Sequence, residues 1–172
     1  MELKVIEATP LKEKPDESKL GFGTLFTDYM FIMDYEPDKG WHSARIEPYG
    51  PMALDPSTMF LHYAQGAFEG LKAYRTDSGH IQLFRPQENF KRLNRSCRRL
   101  CMPEIDEAQA LDVLKQLLIM EKDWVPRAPE TSLYIRPTLI ATDPYIGVRA
   151  SFNYRYYIIL SPVGAYYPEG FN

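Results

Sequence analysis

Hydrophobic positions divide the chain into extended segments at its two ends and a helical segment in the middle. In the middle segment, apolar residues recur every three or four positions, which is the period of a helix with one buried face. These residues are Phe90, Leu93, Cys97 and Leu100 in a first run and Leu111, Leu114, Leu117 and Leu118 in a second. The first run predicts a helix that begins after Pro86 and that Pro103 closes. The second predicts a helix that follows the capping residue Asp106 and ends near Trp124.

Aromatic and β-branched runs bounded by turn formers predict strands on either side of these helices. YMFIMDY and WHSARI flank the turn Glu36–Gly40, and LKAYR and HIQLF flank TDSG, so each pair is expected to form a β-hairpin. SLYIRPTLI and YRYYIIL predict two more strands. Residues 57–68 are expected to form a short helix ended by Gly70. The order of strands, two helices and strands predicts an α+β domain with a largely antiparallel sheet.

Composition and charge narrow the class of protein. With 172 residues, 45% of them hydrophobic, the chain can bury one core of ordinary size after a polar arm over residues 1–18. The net charge of −3 argues against a nucleic-acid-binding protein. No apolar run is long enough to span a bilayer and the N-terminus has no apolar signal segment, so we expect a cytoplasmic protein. Cys97 and Cys101 are expected to stay reduced, because no second cysteine or histidine pair lies nearby.

Alternate positions of SLYIRPTLI hold the first candidates for chemistry. Tyr134, Arg136 and Thr138 share one face of this predicted strand, and apolar residues share the other. The polar face either meets water, with Arg136 beside a surface tyrosine, or lines a binding site. Pro137 fits best at a sheet edge or a bulge.

Arg92, Arg95 and Arg99 form a basic stripe on the first predicted helix. Such a stripe is typical of a solvated helix face. Near the beginning of a helix, however, the helix dipole disfavours cations, so arginines there indicate that an anion is bound nearby. Phosphate is the anion that best fits a guanidinium group. His62 and Tyr63 are either a structural hydrogen-bonding pair or a substrate contact. The histidines do not have the spacing of metal ligands, so no metal is expected.

Six segments of the chain carry a family resemblance. They are FGTLFTDYM, LHYAQGAFEGLKAYR, LFRPQENFKRLNRSCRRLCMP, DWVP, SLYIRPTLI and ILSPVGAYY. From residue 19 onward the chain resembles the N-terminal half of branched-chain aminotransferases, in the fold-type IV group of pyridoxal-phosphate enzymes. The resemblance implies that residues 19–172 form the small domain of such an enzyme. It also implies pyridoxal 5'-phosphate as cofactor and reversible transfer of the amino group of leucine, isoleucine or valine to 2-oxoglutarate.

The resemblance further implies roles for individual residues. Arg92 matches the arginine that holds the cofactor phosphate, whereas the other two arginines of the stripe stay on the surface. Arg136 matches a pocket arginine near the acid groups of the substrate. Positions that match the substrate pocket wall are Phe22, Tyr63, Tyr134 and Tyr166. Ile146 and Val148 match a loop that reaches into the neighbouring active site, which implies a homodimer with pockets completed in trans.

The catalytic lysine of the family falls outside this chain. In the family the Schiff-base lysine lies in the C-terminal cofactor domain, beyond the segment that matches GAYYP, and the sequence here ends at Asn172. Lys72 is not a substitute, because it lies inside FEGLK. We therefore expect activity from a longer protein and none from this chain alone. Two alternatives are another fold-type IV enzyme, such as a D-amino-acid aminotransferase or aminodeoxychorismate lyase, and a non-catalytic dimerisation domain.

Overall fold

The computed structural model describes residues 2–164, which form one eight-stranded sheet with three α-helices. The strands are β1 (Lys4–Val5), β2 (Tyr29–Glu36), β3 (Gly40–Pro48), β4 (Gly66–Phe68), β5 (Leu71–Arg75), β6 (Ile81–Leu83), β7 (Ser132–Ala141) and β8 (Tyr154–Val163). The helices are α1 (Met59–Tyr63), α2 (Pro86–Arg99) and α3 (Glu107–Met120), with 3-10 turns at Glu17–Lys19 and Lys122–Trp124. No helix within residues 2–164 is long and apolar enough to cross a membrane.

The sheet is antiparallel except at one edge. Its strands lie in the order β1-β3-β2-β8-β7-β5-β6, and β4 pairs with β7 beside β5. In the described part of the chain, only the short strand β1 runs parallel to its neighbour. Both predicted hairpins are present, as β2–β3 and β5–β6. The prediction of an α+β domain with a largely antiparallel sheet is therefore confirmed.

The two faces of the central strand β7 have different surroundings. Leu133, Ile135 and Leu139 are fully buried and belong to one apolar cluster with residues of α2 and α3. Tyr134, Arg136 and Thr138, which alternate with them, are only half-buried and point to the opposite face, called here the open face. The predicted division of this strand into an apolar and a polar face is confirmed. It leaves the candidate residues on the face that the two long helices do not cover.

The two long helices form where the apolar period predicts them, but both end earlier than expected: α3 ends at Met120, and a separate 3-10 turn continues to Trp124. α2 stops at Arg99, because the chain turns at Cys101, whose φ of 54° is left-handed, before it reaches Pro103. The Cys97 carbonyl accepts the Met102 N–H at 2.9 Å and closes the helix end. At the start of α3 the Asp106 carboxylate accepts the Gln109 N–H at 2.9 Å, as the sequence predicts. Both cysteines are free.

The expectation of one helix over residues 57–68 is wrong in its second half. α1 is only five residues long and ends at Tyr63, because the next residue, Ala64, adopts a left-handed φ of 53°. The chain then pairs with β7 as strand β4, because backbone hydrogen bonds to the sheet are available there. Gly70 does not end a helix. It lies in the break between β4 and β5.

Pro137 lies in the centre of the sheet, and the sheet is interrupted beside it. β4 and β5 pair with β7 on the two sides of this proline, and Glu69 and Gly70 form the break opposite it. The Glu69 N–H donates to the Pro137 carbonyl at 2.9 Å, on the side where the proline has no N–H to offer. The expectation of a sheet edge or a bulge at this proline is wrong, because β7 is a central strand with unbroken register to β8. The sheet accommodates the proline through the gap between β4 and β5, which places Glu69 opposite it.

Candidate functional site

Three residues predicted to bind substrate lie together on the open face. Arg136 donates from Nη2 to the Tyr134 hydroxyl at 2.7 Å. The Phe22 ring meets the Tyr134 ring edge-on, with 5.1 Å between the ring centroids. Phe68 adds a fourth side chain, since the Arg136 Cζ lies 4.3 Å from the centre of its ring. This group of four residues, called here the Tyr134 cluster, combines aromatic walls with one fixed cation.

Arg136 in this cluster keeps capacity for a further hydrogen bond. Its side chain is half-buried and its Nε is covered by protein atoms. Within residues 2–164 this Nε–H has no hydrogen-bond partner. The covered Nε–H is closed to a ligand in this arrangement, but a half-buried guanidinium group on the open face favours a carboxylate ligand, because charge-assisted hydrogen bonds are the strong ones. The cluster can therefore hold an acid group beside an apolar side chain.

The predicted phosphate ligand Arg92 lies on α2 and pairs with Glu69. Its Nε donates to one carboxylate oxygen of Glu69 at 2.6 Å and its Nη2 donates to the other at 2.8 Å. Glu69 is only 4% exposed, whereas the Arg92 side chain is 60% exposed. Asn89, three residues before Arg92 on the same helix, donates to Glu69 at 3.0 Å and to the Gly70 carbonyl at 3.2 Å.

The electrostatics of this pair keep both partners charged. Burial raises the pKa of Glu69, but the hydrogen bonds from Arg92 and Asn89 outweigh it, so the pKa lies below its ordinary value. The hydrogen bond from Arg92 to Glu69 raises the pKa of Arg92. Within residues 2–164 the Nη1 of Arg92 makes no hydrogen bond. A charged, exposed guanidinium group with a free Nη1 fits a phosphate ligand.

Glu69 and Gly70 join this pair to the Tyr134 cluster. A Cβ built on Gly70 would lie 2.3 Å from the Tyr134 hydroxyl oxygen, so the phenol packs directly against the backbone at this glycine. Glu69 is the preceding residue and binds Arg92. A candidate phosphate ligand and a candidate substrate pocket are therefore linked through two consecutive residues of the break between β4 and β5.

Tyr63 belongs to a second group of candidate residues. Its hydroxyl donates to the backbone carbonyl of Ile146, in the loop between β7 and β8. The Ile146 side chain is 65% exposed and that of Val148 is 92% exposed, so the apolar tip of the loop is largely uncovered by the rest of the described chain. The His62 Nε2 hydrogen-bonds to the Pro56 carbonyl at 2.8 Å. His62 and Tyr63 therefore each have a backbone partner and are not hydrogen-bonded to each other.

The three arginines of the basic stripe on α2 are all exposed, but they differ in their partners. Arg95 and Arg99 are exposed, and Arg92 alone has the buried carboxylate partner. The helix-start argument for an anion does not hold, because Arg92 lies in the middle of α2, away from its N-terminus. Glu69, not the helix dipole, sets the surroundings of Arg92. Tyr166 lies outside the described residues.

Sequence reasoning missed three residues of this site. It assigned no role to Glu69, and it did not consider Phe68 or Asn89. Phe68 and Glu69 could have been found from the Phe-Glu-Gly segment, which places a carboxylate next to a glycine ahead of a strand. Asn89 could have been found from its spacing of three to Arg92 on a predicted helix.

Curated proteins with related sequences are branched-chain aminotransferases. Branched-chain-amino-acid transaminase 1 of Bacillus subtilis (strain 168) is 62% identical over 158 residues, which is 92% of this chain and 44% of that protein. Branched-chain-amino-acid aminotransferase 2 of the same strain is 57% identical over 166 residues, which is 96% of this chain and 46% of that protein. The chain thus spans less than half the length of these relatives. No family model matches it.

Solved structures agree on the fold. A T.th. branched-chain amino acid aminotransferase with pyridoxamine 5'-phosphate matches with a TM-score of 0.60 over 88% of this chain and 43% of that one. The two sequences are 20% identical over the match. The structural similarity therefore supports the α+β fold and does not assign roles to individual residues.

Proposed function

Because this chain belongs to the branched-chain aminotransferases, whose N-terminal part it matches, we propose that it forms the small domain of such an enzyme. The proposed domain covers residues 19–172, and the arm of residues 1–18 adds the edge strand β1 to its sheet. The longer protein moves the amino group of leucine, isoleucine or valine to 2-oxoglutarate, and the products are the branched-chain 2-oxo acid and glutamate. The observation that supports this function best is the meeting of Phe22, Tyr134 and Arg136 on one open sheet face.

Arg92 is the residue of this chain that would hold the cofactor phosphate. Its free Nη1, its positive charge and its exposure fit an anionic group. The T.th. structure carries pyridoxamine 5'-phosphate, which has such a phosphate. When bound, pyridoxal 5'-phosphate supplies the electron sink for the chemistry at the α-carbon of the amino acid. The residues of this chain would bind and orient the cofactor and the substrate.

The Tyr134 cluster is the substrate pocket of this proposal. The half-buried Arg136 guanidinium group, which packs on the Phe68 and Tyr134 rings, binds an acid group of the substrate through charge-assisted hydrogen bonds. The rings of Phe22, Phe68 and Tyr134 contact the branched aliphatic side chain and exclude water from it. Tyr63 and Tyr166 complete the wall, and Tyr166 lies outside the described residues.

The loop with Ile146 and Val148 enters the pocket of a second copy in the proposed homodimer. Its exposed apolar tip is suited to burial in a partner. Lys72 pairs in register with Tyr134 and so lies on the open face, but we assign it no catalytic role. The catalytic lysine belongs to the part of the longer protein that follows this chain.

Steady-state kinetics of the full-length protein test this function. We expect glutamate from leucine, isoleucine and valine with 2-oxoglutarate, and none from residues 1–172 alone. Arg136→Lys keeps the charge and loses the planar fork, so the KM for 2-oxoglutarate should rise about tenfold or more. Arg95→Lys, on the exposed part of α2, is the matched control and should leave the KM unchanged.

Three outcomes would contradict the proposal. Activity with D-alanine but not with leucine would indicate another fold-type IV enzyme. Absence of transamination by the full-length protein would favour a non-catalytic dimerisation domain. Activity of residues 1–172 alone would show that a lysine of this chain is catalytic.

A further inference from the structure

We propose that Glu69 is a positioning residue that orients Arg92 toward the cofactor phosphate. This inference rests on the function proposed above, because it concerns the ligand of Arg92. Glu69 touches neither substrate nor cofactor in this account. Its carboxylate acts through the guanidinium group of Arg92, which it binds through both of its oxygens.

The geometry of the pair selects one edge of the guanidinium group. Arginine has five N–H donors in one plane, and Glu69 takes one from Nε and one from Nη2. The Nη1 amino group, at the opposite edge, is left free to donate to an anion. Without the carboxylate, the 60% exposed Arg92 side chain would sample many rotamers, and binding would have to restrict them.

Glu69 is itself held in place from three sides. Its backbone N–H donates to the Pro137 carbonyl at 2.9 Å, which ties it to the central strand β7. Its carboxylate accepts the Asn89 side-chain amide at 3.0 Å and the Gly70 N–H at 3.3 Å. The carboxylate is therefore fixed with respect to both the sheet and α2, and it can transmit this fixed position to Arg92.

Positioning and simple charge neutralisation predict opposite results when the carboxylate is removed. If Glu69 only cancels the charge of Arg92, then a neutral residue there raises the local positive potential and an anion binds more tightly. If Glu69 positions Arg92, the neutral residue loosens the side chain and the anion binds more weakly. The sign of the change therefore separates a positioning role from a purely electrostatic one.

The test uses Glu69→Gln in the full-length protein freed of cofactor. Dissociation constants of pyridoxal 5'-phosphate and of pyridoxal are measured by absorbance titration, and their ratio isolates the contribution of the phosphate. We expect the affinity for pyridoxal 5'-phosphate to fall about tenfold, with little change for pyridoxal, since hydrogen bonds to charged groups have this magnitude. Glu88→Gln, an exposed carboxylate on α2 that pairs with Lys91, removes the same charge and should change neither constant.

Two further variants keep the result interpretable. Asn89→Ala leaves Glu69 charged and removes one of its anchors, so it should weaken phosphate binding in the same direction but less. In an Arg92→Lys background, Glu69→Gln should have almost no further effect on the ratio, because the group it orients is gone. Thermal unfolding of each variant shows whether it is folded.

The outcomes distinguish this inference from the function on which it rests. If the folded Glu69→Gln protein binds the phosphate as tightly as the natural protein or more tightly, the positioning role of Glu69 is wrong. If Arg92→Lys at the same time lowers the affinity for pyridoxal 5'-phosphate relative to pyridoxal, Arg92 remains the phosphate ligand. If Arg92→Lys leaves the ratio unchanged, Arg92 does not hold the phosphate and the role of Glu69 falls with it, whereas measurable binding of pyridoxal 5'-phosphate still supports the proposed cofactor. If the full-length protein does not bind pyridoxal 5'-phosphate at all, the proposed function itself falls.

Discussion

The hydroxyl of Tyr134 packs against Gly70 so closely that a Cβ on residue 70 would lie 2.3 Å from the phenol oxygen and 3.1 Å from the ring carbon that bears it. Gly70 does not have a left-handed φ. A glycine is needed here because of the neighbouring ring and not because of the backbone conformation. The contact sets how deeply the Tyr134 ring lies on the sheet, against the residue that follows Glu69.

Gly70→Ala should therefore displace the Tyr134 ring and lower the free energy of unfolding by about 1–3 kcal/mol, the usual cost of overpacking. Urea denaturation measures this change. Gly21→Ala is the control, since a Cβ at residue 21 meets no atom within 4 Å. In the combined Gly70→Ala and Tyr134→Phe variant the closest atom is absent, so the total cost should be smaller than the sum of the single costs. Additive costs would show that the contact does not cause the loss.

Glu121 should make the stability of the domain depend on pH. It is buried at the end of α3, and its carboxylate accepts the Tyr29 N–H at 2.5 Å. Burial raises its pKa from 4.5 to about 7, although the hydrogen bonds from Tyr29 and Thr27 oppose the rise. Because the folded state holds this proton more tightly than the unfolded chain, stability is fully present below pH 4.5 and falls as the pH rises through 7. The loss should amount to about 3 kcal/mol.

Glu121→Gln tests this pH dependence. The amide keeps an oxygen that can accept the Tyr29 N–H and has no proton to lose. Urea denaturation at about pH 5 and about pH 8, on either side of the raised pKa, should show a loss of stability at the higher pH for the natural chain and a much smaller one for the variant. Equal losses in both proteins would assign the pH dependence to another group.

Asp143 should hold the loop between β7 and β8. Its buried carboxylate accepts the Arg149 Nη1 and the Phe152 N–H at 2.8 Å each and the Asn153 N–H at 3.2 Å. Asp143→Asn removes the charge that these donors share, and we expect the free energy of unfolding to fall by about 2 kcal/mol. Limited proteolysis should cut the loop faster. Asp77→Asn, in an exposed turn, should change neither measurement.

Val148 should matter for association and not for folding of the domain. Its side chain is 92% exposed, so Val148→Asp should change the free energy of unfolding of this chain by less than about 0.5 kcal/mol. In the full-length protein the same substitution places a charge in the proposed dimer contact and should raise the dimer dissociation constant about tenfold or more, as measured by analytical ultracentrifugation. Phe84→Asp, at a side chain that is 78% exposed, is the control. Unchanged dimerisation would remove this loop from the interface.

Local sequence was sufficient for the long elements of the fold. Two local patterns predicted these elements: the apolar period of α2 and α3 and the alternation of apolar and polar residues along β7. Both patterns involve residues only a few positions apart, so they are visible without the tertiary structure. Short elements were harder to predict. Residues 66–68 form a strand because β7 offers backbone partners, and this pairing depends on residues far away in the chain.

The sequence by itself determined the fold class, the resemblance to branched-chain aminotransferases and part of the set of side chains that form the candidate site. Phe68, Glu69 and Asn89 joined that set only in the structure. Only the tertiary structure decided which of them meet. Glu69 and Arg92 are 23 residues apart and come together because α2 packs beside the break between β4 and β5. Phe22 reaches Tyr134 because the segment before β2 crosses to the centre of the sheet. Such contacts follow from strand register and helix packing, which are long-range properties that no local pattern contains.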